Sequence, residues 1–268
     1  MTALRPLYLD RSAASVSLEG PALIVDQPDA AAGRFPLRLL SRVVVRGPVP
    51  WSMEALFACL ASGVPITFLS LDGAVVGLCL GRERPEESLT MLLDRLLAEP
   101  GWAEIYGRWS RAAERRAMVE VARRLALPLG SPREGGDLRP EVVSRLMAAR
   151  MPGGDTPGAR SALRRLDGYL CAHLSELFGR AGVPLAYRGG RGSPLDLRPA
   201  LRTALRWYLW LPLKRWLELR QAHPALRGAA SAARRRAAAQ YEAAAPQIAA
   251  RFRRLVASLD RLLREEVR

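Results

Sequence analysis

Short apolar runs separated by turn residues fill the first third of the chain, and from about Pro85 the apolar positions fall at helical spacing instead. Residues 7–10, 14–18, 22–26 and 41–46 are rich in Val, Leu, Ile and Tyr and have strand length. Arg11-Ser12-Ala13, Glu19-Gly20-Pro21 and a polar loop over 28–33 divide them. In Val16-Ser17-Leu18 polar and apolar positions alternate, as in a strand with one wet face. Gly47-Pro48 ends the run Val43-Val44-Val45, because proline cannot donate to a ladder. Ser52 is placed to cap a helix that carries Leu56, Cys59 and Leu60 at helical spacing and Glu54 in its first turn, and Gly63 closes it. Residues 65–69 and 75–80 then read as two strands around the turn Asp72-Gly73.

Beyond Pro85 the spacing predicts helices over 86–98, 103–127, 140–149, 159–180, 198–219 and 229–267. Pro212 lies inside the fifth, which should kink or restart there, and Pro246 should break the sixth. Loops rich in Gly and Pro are expected over 128–140 and 184–199. The fold class is therefore α+β, with a β-rich domain containing one helix over 1–84 and a larger all-α domain over 85–268. No segment approaches the roughly 20 apolar residues of a membrane span, and the first residues lack the apolar core of a secretory leader. Cys59, Cys79 and Cys171 sit among apolar neighbours and read as small hydrophobes, so no membrane and a cytoplasmic location are expected.

Charge sharpens this picture. The net charge is +15, and 40 of the 41 basic residues are arginine. Residues 1–84 hold 8 basic and 7 acidic side chains, whereas 85–268 hold 33 and 19, so the excess belongs to the helical part. A polyanionic partner follows from such a surface, and the planar guanidinium suits phosphate.

The first 81 residues resemble the N-terminal domain of the CRISPR-associated endonucleases that integrate spacers. The resemblance is carried by Leu7-Tyr8-Leu9, Phe35-Pro36-Leu37, the run 41–45, Gly47-Pro48-Val49, Trp51-Ser52 opening the helix to Cys59-Leu60, the segment 63–69, Asp72-Gly73, and Gly77 through Gly81. It implies a dimer made through the β-rich domain and a helical domain that carries DNA and metal. It also implies a small ferredoxin-like Cas subunit as partner. The family's active site is a Glu, a His and an Asp holding Mg or Mn, which orients a 3′-hydroxyl for in-line transfer.

This chain departs from that pattern. Glu141 opens the corresponding helix, without the family's following alanine and aromatic, and a place at a helix N-terminus suits any carboxylate. The loop expected to hold the histidine runs from Gly182 to Arg191 and contains none. His173 borders the stripe Leu163, Leu166, Leu170, Leu174 and Leu177, and His223 precedes Pro224 in a turn. Asp196 matches the start of the third segment, but Arg206 stands near the place of the metal-binding Asp.

Arginines have accumulated there instead. Arg198, Arg202 and Arg206 recur every four residues and form one stripe on a helix, with no acid on that helix before Glu218. Arg188 and Arg191 in the preceding glycine-rich loop, with Arg164 and Arg165 on the helix before it, complete the expected DNA-binding set. Trp207 and Trp210 interleave with the stripe and read as core. The expectation is a homodimeric, catalytically impaired homologue that binds duplex or branched DNA. An active nuclease using Glu141, Asp196 and His173 or His223 with Mg or Mn is one alternative. An adaptor that dimerises with an active paralogue is the other.

Overall fold

Leu40–Arg46 is buried along its whole length, as the apolar run at its centre requires of an inner parallel strand. It is β5 of a chain that runs β1 (Arg5–Asp10), β2 (Ser15–Glu19), β3 (Ala22–Gln27), β4 (Ala30–Pro36), β5, α1 (Met53–Ala61), β6 (Ile66–Leu69) and β7 (Val75–Cys79). The helical elements are α2 (Glu87–Ala98), α3 (Trp102–Arg124), α4 (Pro140–Arg150) and α5 (Pro157–Ala181). After these come β8 (Ala186–Arg188), β9 (Pro194–Asp196), α6 (Leu197–Arg206), α7 (Trp210–Ala222) and α8 (Ala230–Glu266). The structure is a computed structural model that describes residues 4–10, 15–27, 30–81, 87–127, 139–183, 186–188, 194–222 and 230–266. It divides into a strand-rich unit, Met1–Glu86 with Gly168–Leu185, and a helical unit, Glu87–Asp167 with Ala186–Arg268. The second half of α5 thus groups with the strands, a grouping that a single boundary at residue 84 does not contain.

In the strand-rich unit β5 pairs in parallel with β1 and β6, and β7 closes the sheet antiparallel to β6. A second sheet is the antiparallel meander β2-β3-β4. The expected loop over 28–33 is largely strand β4 instead. Its Ala-Ala-Ala-Gly start has little strand propensity, but β3 offers an edge on which Phe35 faces Leu23 and Arg34 faces Ile24. Leu7 and Leu9 of β1, Val43 and Val45 of β5, Leu23 and Val25 of β3, and Cys59 of α1 share one core. Each such aliphatic side chain contributes about 1.5–3 kcal/mol by leaving water. The expected cap holds: the Ser52 hydroxyl accepts from Ala55 N–H at 3.2 Å, and Gly63 takes φ +69° just past the helix end.

The other face of the parallel strands receives the second half of α5. The Tyr8 ring meets Tyr169 edge-on at 5.1 Å. A Cβ on Gly168 would lie 2.4 Å from the Gly73 carbonyl, so only glycine lets the helix approach there. Period-two alternation points Arg42 to this side, where its guanidinium donates to Glu176 at 2.5 Å. Both side chains are about 95% buried, at 3% and 5% exposure, and Arg180 reaches the same carboxylate at 3.0 Å.

In the helical unit the four-residue spacing of α6 buries Leu197, Leu201 and Leu205 with Ala200 and Ala204. α6 packs against α3, and α7 against α8. The expected restart near Pro212 is a 3₁₀ turn at Trp207–Leu209, which puts Pro212 in the first turn of α7, where its missing N–H costs nothing. A short hairpin, β8 with β9, occupies part of the expected loop over 184–199. The break expected at Pro246 does not occur. α8 is continuous through it, with buried Tyr241 and Ala245 before and Ile248 and Phe252 after holding both sides against the core. Among the described residues no helix is long and apolar enough to cross a membrane.

Glu176→Gln leaves the buried Arg42 guanidinium without its counter-charge and is expected to cost about 3–5 kcal/mol in urea unfolding. The double change Arg42→Met, Glu176→Leu is expected to recover most of that loss. A single variant that unfolds like the wild type would show the pair to be dispensable.

Candidate functional site

The arginine stripe on α6 is real in register but differs in charge from what the helix alone implies. Asp196 caps α6, its carboxylate accepting from Arg198 N–H at 2.9 Å and from the Arg198 guanidinium at 2.9 and 3.1 Å. Arg202 donates to Asp167 of α5 at 2.5 and 3.2 Å. As expected, α6 itself holds no acid, and the compensating acids come from outside it, from its cap and from α5. Arg206, one turn on, is exposed and forms no ion pair among the described residues. On α5, Arg164 is exposed, while Arg165 is half-buried and donates to the Ser161 carbonyl and hydroxyl at 3.3 and 2.9 Å. Arg188 has its backbone in β8, and Arg191 lies outside the described residues. Trp207 and Trp210 are buried, as expected of core, and the Trp207 indole donates to Glu114 at 3.2 Å.

A second cluster was not legible along the chain. Glu120 of α3 accepts the Tyr208 hydroxyl at 2.6 Å, Arg124 at 2.9 Å, and Arg251 of α8. The Arg251 guanidinium lies 4.2 Å over the Tyr208 ring. Burial and the bond to Glu120 push the Tyr208 phenol well above its usual value, so it stays a donor. In sequence, Glu120 and Arg124 read as an ordinary surface pair four residues apart. The signal for Arg251 is its position between Ile248, Phe252 and Leu255, on the inner side of α8.

Around this cluster the surface is basic. Arg115, Arg116, Arg123 and Arg124 are exposed along α3. Lys214 and Arg215 of α7 face Arg124 and Arg251 across a cavity. These cations come from α3, α7 and α8, so sequence separation hides their proximity.

Among the described residues, the candidates for the metal site implied by the resemblance have other environments. Glu141 is exposed in the first turn of α4, where its charge complements the helix dipole. Asp196 is engaged by Arg198, and His223 lies outside the described residues. His173 is buried in the strand-rich unit, where burial and then the charges of Arg42 and Arg180 hold its imidazole neutral, at a pKa of about 3. The same guanidinium charges oppose a divalent cation there. Among the described residues no three His, Cys, Asp or Glu side chains are grouped to hold a metal ion.

His173 also sets a pH dependence. Unfolded, it takes up a proton near pH 6.5; folded, only near pH 3, so the unfolded chain binds more protons between those values. Stability should fall as pH drops through that window, by up to about 1.4 kcal/mol per unit from this group. Urea titrations at pH 7 and pH 4.5 should show a smaller loss for His173→Gln than for the wild type; equal losses would refute the burial argument.

Comparison with known proteins agrees with the strand-rich unit's sequence signature. Residues 7–100 match the family model of CRISPR associated protein Cas1. None of the curated proteins compared with the chain matches it significantly in sequence. Among solved structures, a Cas1 protein from Thermotoga maritima superimposes over 97% of both chains, with TM-score 0.76 and 11% identity. A casposase bound to integration product aligns over 89% of this chain and 82% of its own, with TM-score 0.60 and 13% identity. TtCas1 in a DNA complex aligns over 94% and 91%, with TM-score 0.59 and 14% identity. At these identities the likeness to the solved structures is one of fold.

Proposed function

Since this chain belongs to the Cas1 family through residues 7–100, we propose that it is a DNA-binding member acting in spacer acquisition, with the family's metal-dependent chemistry impaired. The observation that carries this is the basic surface of the helical unit. Arg115, Arg116 and Arg123 stay exposed on α3, as does Arg206 on α6, after internal acids have taken their partners. A row of guanidinium groups in water fits a phosphate backbone, and backbone contacts position a duplex without reading its sequence. That solved relatives of this fold hold DNA or an integration product supports DNA as the polyanion. The cytoplasm is where such a partner is met. Asp196 held by Arg198, and His173 neutral beside Arg42 and Arg180, support impairment.

The strand-rich unit supports self-association. Phe57 and Met53 on α1 are 60% and 55% exposed, and Val76 on the edge strand β7 is 72% exposed, so the unit presents apolar side chains to solvent on both elements. A homodimer through this unit is the arrangement we assign, with a small ferredoxin-like Cas subunit as the further partner. An active paralogue in place of the second copy is the adaptor version of the same contact.

Fluorescence anisotropy with labelled branched and duplex DNA tests the reading. Log affinity should fall steeply with log salt, by about 0.9 per phosphate neutralised, and vary little with sequence. A flat salt dependence sinks the phosphate-binding claim. A strand-transfer and cleavage assay with Mg or Mn should give no product. Product that disappears on chelation and in Glu141→Ala would restore the nuclease reading.

A further inference from the structure

We propose that the cavity between α3, α7 and α8 of the helical unit holds a phosphate group of a nucleic-acid strand, an inference that rests on the DNA-binding reading above. The cavity has a volume of about 330 Å³ and is lined by Arg124, Tyr208, Lys214, Arg215, Gln247 and Arg251, with Glu218 at its edge. Its donors converge from three separate helices, which makes it a built pocket rather than one basic face of one helix.

Arg251 is the anchor. Its side chain is more than nine-tenths buried, at 8% exposure, and it is fixed in place by Glu120 and by the Tyr208 ring. Its Nε–H nevertheless has no hydrogen-bond partner among the described residues. That atom is closed off from solvent, so a phosphate in the cavity meets the more accessible cations Arg124, Lys214 and Arg215, while Arg251 contributes its charge from the wall. Glu120 cannot neutralise the rest of the pocket, because Arg251, Arg124 and the Tyr208 hydroxyl already share its charge. Glu218 is 3.7 Å from Lys214 and offsets a single cation. Arg215 is exposed and forms no ion pair among the described residues. Planar guanidinium forks and an ammonium around one space are the donor set for a tetrahedral oxyanion.

The surroundings favour a strand over a small free anion. A second cavity shares Tyr208 and Arg251 with the first and is lined as well by Glu120, Arg116 and Arg254. The exposed arginines of α3 continue from there through Arg116. Cationic positions thus follow one another along a path, as successive phosphates of a backbone do.

The test compares the full-length protein with Lys214→Gln, Arg215→Gln, which changes side chains at the open side of the pocket and leaves the Glu120 cluster intact. The control is Arg145→Gln, Arg150→Gln, which removes two exposed cations of α4. With inorganic phosphate as probe at fixed ionic strength, the wild type and the control should show a saturable rise in Tm that the Lys214, Arg215 variant lacks. With labelled branched DNA, that variant should bind about tenfold or more weakly, with a salt slope shallower by about two, and the control should change less. An unchanged salt slope in the variant, beside steep salt dependence in the wild type, overturns the site and leaves the DNA reading standing. Phosphate stabilisation without any DNA binding by the wild type overturns both the reading and the strand as ligand. A phosphate effect equal in all three proteins reduces the pocket to nonspecific ion binding and overturns the proposal.

Discussion

Like-charge repulsion is the constraint on which the helical unit depends, and Glu120 is where it is most plainly managed. Arg124 and Arg251 would repel one another across α3 and α8, but the carboxylate between them takes both, together with the Tyr208 hydroxyl. One acid thereby ties α3 and α8 to the turn between α6 and α7. Its interactions are partly shielded from water, so they are screened less by salt than exposed pairs are.

The same arrangement recurs through the molecule. Glu176 sits between Arg42 and Arg180, Asp167 pairs with Arg202, and Asp196 pairs with Arg198. Three of these acids, Glu120, Glu176 and Asp167, join separate elements. Each such pairing takes up arginines along with the acid, so the basic excess of the chain is carried by the residues outside these contacts.

The impaired metal chemistry we propose fits this logic. A divalent cation needs converging carboxylates and imidazoles, and here those groups are directed at guanidinium groups. Asp196 caps a helix and holds Arg198, and His173 is neutral beside Arg42 and Arg180. Exposed arginines suit direct contact between protein and phosphate, which is the chemistry we assign to the helical unit.

The strand-rich unit was largely legible along the chain because its signals are local. Val43-Val44-Val45 bounded by Gly47-Pro48, the Ser52 cap and the Asp72-Gly73 turn each constrain the backbone through neighbouring residues. β4 was hidden because its strand character comes from the edge of β3, and the continuity of α8 through Pro246 because buried neighbours hold it. In the helical unit, periodicity alone located the helices and the four-residue arginine stripe. Periodicity could not supply the acids that pair with Arg198 and Arg202, nor bring Glu120, Tyr208 and Arg251 together across 131 residues of chain. The sequence by itself determined where the backbone turns, which faces are apolar and which half carries the charge, since these depend on adjacent residues. Tertiary structure decided which of those charges are neutralised and which are free to bind, because that depends on distances between side chains far apart in the chain.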